Sequence, residues 1–129
     1  MAYEVVVGAG SRRSSDASAR SFSHRWTEAG VSVEAEFTGA HLLHLAAAGC
    51  ILNDVYREAT ALGLEVRGVR VSAEGDFESD TWRSTGITYL VDLDTDAAED
   101  DVDELLRRVD YAAEIPKAIR QGAAVERRR

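Results

Sequence analysis

The chain has 129 residues, 45% hydrophobic and 29% charged, with a formal net charge of −8 and a single cysteine. That size and balance describe one soluble domain with a real but small core, and so acidic a chain has no general affinity for nucleic acid or anionic membranes. One cysteine excludes an internal disulfide, no apolar run approaches the ~20 residues of a membrane span, and MAYEVVV lacks the features of a secretory leader, which together point to the cytoplasm.

In chain order, Tyr3, Val5 and Val7 set up a first strand. Gly8–Arg20, GAGSRRSSDASAR, reads as a polar loop of small residues. Gly8-Ala9-Gly10 imitates the start of a dinucleotide fingerprint, but Arg13 stands where its third glycine belongs and no amphipathic helix follows. A phosphate-binding helix N-terminus is therefore not expected here. Ser21–Thr27 places Phe22, His24 and Trp26 on alternate positions, and Glu28-Ala29-Gly30 has turn chemistry. Val31, Val33, Ala35 and Phe37 then alternate with Ser32, Glu34, Glu36 and Thr38, predicting an antiparallel hairpin with one wet face.

The region 40–63, AHLLHLAAAGCILNDVYREATALG, predicts the central helix. Between Leu42 and Ile51 only His44 is strongly polar, so this half is expected to be buried all round. The second half is amphipathic: Asn53, Arg57 and Thr60 share a stripe, while Leu52, Val55, Tyr56, Ala59 and Leu62 recur at three- and four-residue spacing. Gly63 suits an αL C-cap.

Beyond it, Leu64–Ala73 predicts a strand whose alternation slips at Gly68, suggesting a bulge. Glu74–Thr85 is a polar connection and Gly86–Leu93 another strand. Asp96 with Glu99 resembles a capping box for a helix to about Asp110, with Val102, Leu105, Leu106 and Val109 as its buried stripe. Pro116 fits the first turn of a short helix ending near Gly122, and Ala123–Glu126 is a candidate edge strand. The carboxylates of Asp94–Glu104 lack the glycine and terminal Glu of a calcium loop and suit a helix start instead. The order β-β-β-α-β-β-α-α(-β) is α+β with antiparallel pairing in a single domain, 1–129: an N-terminal hairpin region 1–38, the central helix 40–63 and a ββαα region 64–126.

LHLAAAGCILNDVYREA followed by GLEVRGVRVSAEGDF resembles the OsmC/Ohr family, the osmotically inducible and organic hydroperoxide resistance proteins. The likeness runs from about Gly39 through GITYLVDL and LLRRVDYAAEIPKAI, and Gly49-Cys50 is its most specific part. It implies an intertwined homodimer, with antiparallel sheets around long buried central helices. It also implies cytoplasmic chemistry on organic hydroperoxides without a cofactor or metal, with Cys50 as the peroxidatic thiol. In that family the thiolate becomes sulfenic acid, a second cysteine before a proline closes a disulfide, an Arg steadies the thiolate, and a Glu near the start of the helix orients the Arg. Here Ile115 precedes Pro116 and Ala40 stands about where that Glu belongs, so the two-cysteine cycle cannot run. What the resemblance leaves is a one-cysteine reaction with an external thiol reductant. The competing reading is a non-catalytic dimer binding a small hydrophobic ligand, with Cys50 as packing.

Helical spacing puts Asn53 and Asp54 on the face of Cys50 one turn later. A carboxylate there raises a thiol's pKa unless a cation intervenes. Arg12, Arg13, Arg20 and Arg25 are candidate cations from the N-terminal region, and Arg20 and Arg25 join Asn53 and Asp54 as candidate supporting residues. His41 and His44 share a side, but His41 lies half a turn from Cys50. His24 is the only other histidine and no acidic cluster is locked to the pair, so the zinc signal is weak and local hydrogen bonds are expected instead.

Overall fold

A computed structural model describes residues 2–129. Five strands, β1 (Tyr3–Gly10), β2 (Arg20–Phe22), β3 (Val31–Glu34), β4 (Gly68–Phe77) and β5 (Ser84–Asp94), and three helices, α1 (Gly39–Leu62), α2 (Glu99–Ala112) and α3 (Glu114–Gln121), follow the anticipated α+β order without the final strand. The strands form one antiparallel sheet in the order β2-β3-β1-β4-β5.

The register decides what each face carries. Val33, Val7, Val71 and Val91 pair across the sheet in one row, and Val31, Ala9, Val69 and Leu93 in the next. These side chains point inward, and α1 packs over β1 and β4 on that face. Helices α2 and α3 pack against another side of α1, contributing Leu105, Val109 and Ala113 to the same core. The central helix is thus held by the sheet along one side and by the helical pair along another. Both of its ends are capped, the C-terminal one by the expected glycine. Thr38 caps the start by accepting the His41 amide at 3.1 Å, and Gly63, at φ 70°, closes the other end while the Leu64 amide donates to the Ala59 carbonyl.

Burial of α1 is incomplete. His44, Ile51, Leu52 and Val55 are almost wholly enclosed, but Leu42, Leu45 and Gly49 are half-buried and Ala46 is exposed. Spaced by three and four, they form one stripe that this chain does not cover.

Several local expectations are corrected. β2 is only three residues long, because at Ser23 the chain turns and His24 bonds to Asn53 Oδ1 at 2.9 Å instead of extending the ladder. β3 stops at Glu34, leaving Phe37 90% exposed. β1 runs on to Gly10, since Gly8 and Ala9 keep pairing with β3 and β4. β4 begins at Gly68 instead of Leu64 and continues to Phe77, and the register shift falls at Gly75–Phe77. Gly68 answers to a different demand: a Cβ there would stand 2.8 Å from the Ser11 amide nitrogen. The capping box at Asp96 does not form, because Arg67 takes that carboxylate together with Asp94 at 3.0 and 2.8 Å, and α2 starts after Ala98. Residues 123–126 form no strand, and Val125 is 97% exposed.

Among the described residues no helix is long and apolar enough to cross a membrane. Since Leu105, 1% exposed, joins α2 to α1, Leu105→Ala is expected to destabilise the fold by about 3 kcal/mol. The check is a lowered urea midpoint with an unchanged denaturant slope.

Candidate functional site

Ala47, Cys50 and Asp54 recur at three and four residues on α1, on the side that meets α3. Helix α3 begins at Glu114, with Ala113 as its N-cap. The first amides of any helix lack intrahelical acceptors, and here those of Ile115 and Glu114 face the Cys50 sulfur. Pro116 sits in the same first turn, where its missing N–H costs nothing. Cys50 is 8% exposed and Asp54 3%. The Cys50 Sγ, one Asp54 oxygen and one Glu114 oxygen all lie within 4.8 Å of one another.

Opposed effects act on this thiol. Burial pushes the Cys50 pKa up, the Ile115 amide pulls it down, and the carboxylates of Asp54 and Glu114 push it up again; the net direction is upward. Asp54 is also pushed up, by burial first and then by Glu114 and Glu58, while the Arg57 guanidinium opposes this from 2.9 Å. The resting site is therefore a protonated thiol beside a buried carboxylate with its own cation. One thiol and two carboxylates also make the single donor cluster of metal-site spacing among the described residues. It offers three donors, and Arg57 already supplies a positive charge to one of them.

Of the residues singled out from sequence, Asp54 joins Cys50. Asn53 turns to the other side of α1, toward His24. Arg20 donates to the Ser18 carbonyl at 3.4 Å, and Arg25 lies 5.8 Å from the centre of the Trp26 ring; neither touches the cluster within this chain. Arg12 pairs with Asp92 and Arg13 with Ser21. The histidines do not gather. His41 meets Thr38 Oγ1 at 2.6 Å and Glu36 at 3.4 Å, and His44 Nδ1 donates to the Ala40 carbonyl at 2.6 Å.

Arg57 and Glu114 were missed. The Asp54–Arg57 spacing of three on a helix was a usable signal. Nothing local announces Glu114, which tertiary packing brings in. One turn before Cys50, a pocket of about 260 Å³ opens between Ala47, Ile87, Tyr89, Pro116, Ile119 and Arg120. At its edge Tyr89 donates to Asp110 at 2.6 Å, and Arg120 meets the same carboxylate at 3.0 Å.

The OsmC-like protein family matches residues 28–127 of this chain. The chain belongs to the OsmC-like family. Its fold is similar to that of an OsmC-like hydroperoxide resistance protein from Jannaschia sp. CCS1, solved as a crystal structure, with a TM-score of 0.63 and 9% sequence identity over 96% of this chain and 90% of that one. No curated protein matches it. The OsmC-like match covers α1, the Cys50 cluster and α3.

If Asp54 holds the thiol proton on, Asp54→Asn must lower the Cys50 pKa. The alkylation rate at neutral pH is then expected to rise and its pH profile to move toward lower pH. A profile that stays in place would leave burial and Glu114 as what holds the proton.

Proposed function

We propose that this OsmC-like protein reduces organic hydroperoxides with Cys50 as its only redox thiol, an external thiol completing the cycle. The observation that carries this reading is the placement of Cys50 Sγ at the N-terminal amides of α3. A thiol that merely packs needs no hydrogen-bond donors, whereas a thiolate, or the oxygen it acquires on oxidation, is stabilised by them.

In the proposed step the sulfur attacks the peroxide oxygen remote from the alkyl group. An S–O bond forms, the O–O bond breaks, and the alkoxide leaves as the alcohol. The thiol proton passes by way of Asp54, the buried base within 4.8 Å, to the departing alkoxide. Sulfur is oxidised by two electrons to sulfenic acid and the hydroperoxide is reduced by two. One external thiol then displaces water to give a mixed disulfide, and a second releases Cys50 as the thiol. The alkyl part of the substrate has an apolar berth in the pocket of Ala47, Ile87 and Ile119. External thiols of this kind belong to the reducing cytoplasm, where we place the protein.

We further propose that it works as a homodimer, with the stripe Leu42–Leu45–Ala46–Gly49 covered by the same stripe of a second copy. Light scattering on the eluting protein is expected to give twice the chain mass; a monomer would refute the dimer.

A second reading is favoured by one fact: Cys50 is buried and its pKa is raised. On that reading the pocket binds a small hydrophobic ligand and the thiol only packs. Ile115 separates the two, because its amide already faces Cys50 Sγ. One equivalent of an organic hydroperoxide should leave wild type with a sulfenic acid trappable by dimedone. The same treatment of Ile115→Cys should consume both thiols in an internal disulfide instead. A wild-type thiol that survives the peroxide until the protein is unfolded would establish the packing reading.

A further inference from the structure

Asp54 and the pocket for the alkyl group lie on opposite sides of the sulfur. Along α1 the order is Ala47, which lines the pocket, then Cys50, then Asp54. At a rise of ~1.5 Å per residue, Ala47 stands about 4.5 Å before the thiol and Asp54 about 6 Å beyond it. Asp54 is 3% exposed, and Arg57 holds its carboxylate at 2.9 Å. It is well placed to take the thiol proton. It is badly placed to deliver it, because the alkoxide departs toward the pocket.

Helix α3 passes both places. Pro116 and Ile119 line the pocket, and Glu114, two residues before the proline, brings a carboxylate oxygen within 4.8 Å of both Cys50 Sγ and Asp54. No other His, Cys, Asp or Glu joins that cluster among the described residues. Glu114 is exposed, and no Lys or Arg pairs with it among them. Its charge opposes ionisation of Cys50 and of Asp54 alike, so this second acid works against a standing thiolate. An acid in the first turn of a helix suits the helix dipole, but that role calls for no reach toward the sulfur.

We propose that Glu114 is the general acid of the hydroperoxide step, carrying the proton from Asp54 to the departing alkoxide. The inference rests on the reduction of organic hydroperoxides at Cys50 proposed above. As the S–O bond forms, the O–O bond breaks and its electron pair leaves with the alkoxide oxygen. The thiol proton moves to Asp54, from Asp54 to Glu114, and from Glu114 to that oxygen. Thiol and hydroperoxide become sulfenic acid and alcohol, and both carboxylates end as they began.

The test compares two oxidants by stopped flow, in wild type and in Glu114→Gln. With tert-butyl hydroperoxide a basic alkoxide must leave; with peroxybenzoic acid the leaving group is a carboxylate that needs no proton. The variant is expected to react about tenfold more slowly, or slower still, with tert-butyl hydroperoxide. Its reaction with peroxybenzoic acid and the alkylation of Cys50 should both quicken, because removing a negative charge eases ionisation of the thiol. Glu114→Asp, which keeps an acid at the position, should recover part of the loss. A Glu114→Gln protein as fast as wild type with both oxidants, or faster, would overturn the proposal. Equal slowing with both would overturn it too, since general damage to the site acts on either oxidant. If wild type itself forms no sulfenic acid with tert-butyl hydroperoxide, the peroxidase reading falls and takes this inference with it.

Discussion

Helix α1 has to satisfy two surfaces at once. Toward the sheet it meets rows of valine and alanine from β1 and β4; toward α2 and α3 it meets Leu105, Val109 and Ala113. Close approach on both sides requires small residues, and Ala47, Ala48 and Ala59 provide them. Everything chemical in the molecule inherits its position from this packing. Cys50 can be both buried and adjacent to polar groups only because the helix that covers it begins there, bringing free amides and a glutamate to the same point.

That arrangement sets a balance that neither element would create alone. On an isolated helix Asp54 would sit in water and hardly affect a neighbouring thiol. Once buried, its charge and that of Glu114 act through a poorer dielectric and hold the proton on sulfur. Arg57 reaches Asp54 from one turn further on and remains partly in solvent, so it moderates this effect without reversing it. The α3 amides act in the opposite sense. A site of this kind holds sulfur as the thiol, with the carboxylates and the amides acting on it in opposite directions.

How much of this could be read from the chain depended on the range of the interaction concerned. The limits of α1, its αL glycine and the relation of Asp54 to Cys50 follow from helical spacing, which is local and regular. The stripe of α2 was equally legible, since Leu105 and Val109 recur with the helical period. Strand ends were harder, because they are settled by competition with distant groups: His24 leaves the hairpin for Asn53, and Arg67 removes Asp96 from its capping role. The arginines near Cys50 illustrate the same limit. Four N-terminal candidates were chemically equal in sequence, whereas the guanidinium that bonds to the cluster is Arg57, on the thiol's own helix. Glu114 comes from 64 residues beyond Cys50, and no periodicity foretells such a contact.

The sheet also divides the molecule chemically. Period-two alternation sends Val5, Val7 and Ala9 to the α1 side of β1, and leaves Val6 and Gly8 on the other. A glycine on the inner face would only have weakened the core. On the outer face it lets the segment after β1 lie against the backbone, and that in turn brings Arg12 and Arg13 beside Arg70, Glu34 and Asp92. Moving the strand register by one residue would exchange these faces, exposing the valines and driving Arg70 toward α1. The core rows forbid that slip. The same hydrophobic pattern that seats α1, and with it Cys50, therefore fixes the cluster of ion-paired side chains on the far side, though no side chain is shared between the two.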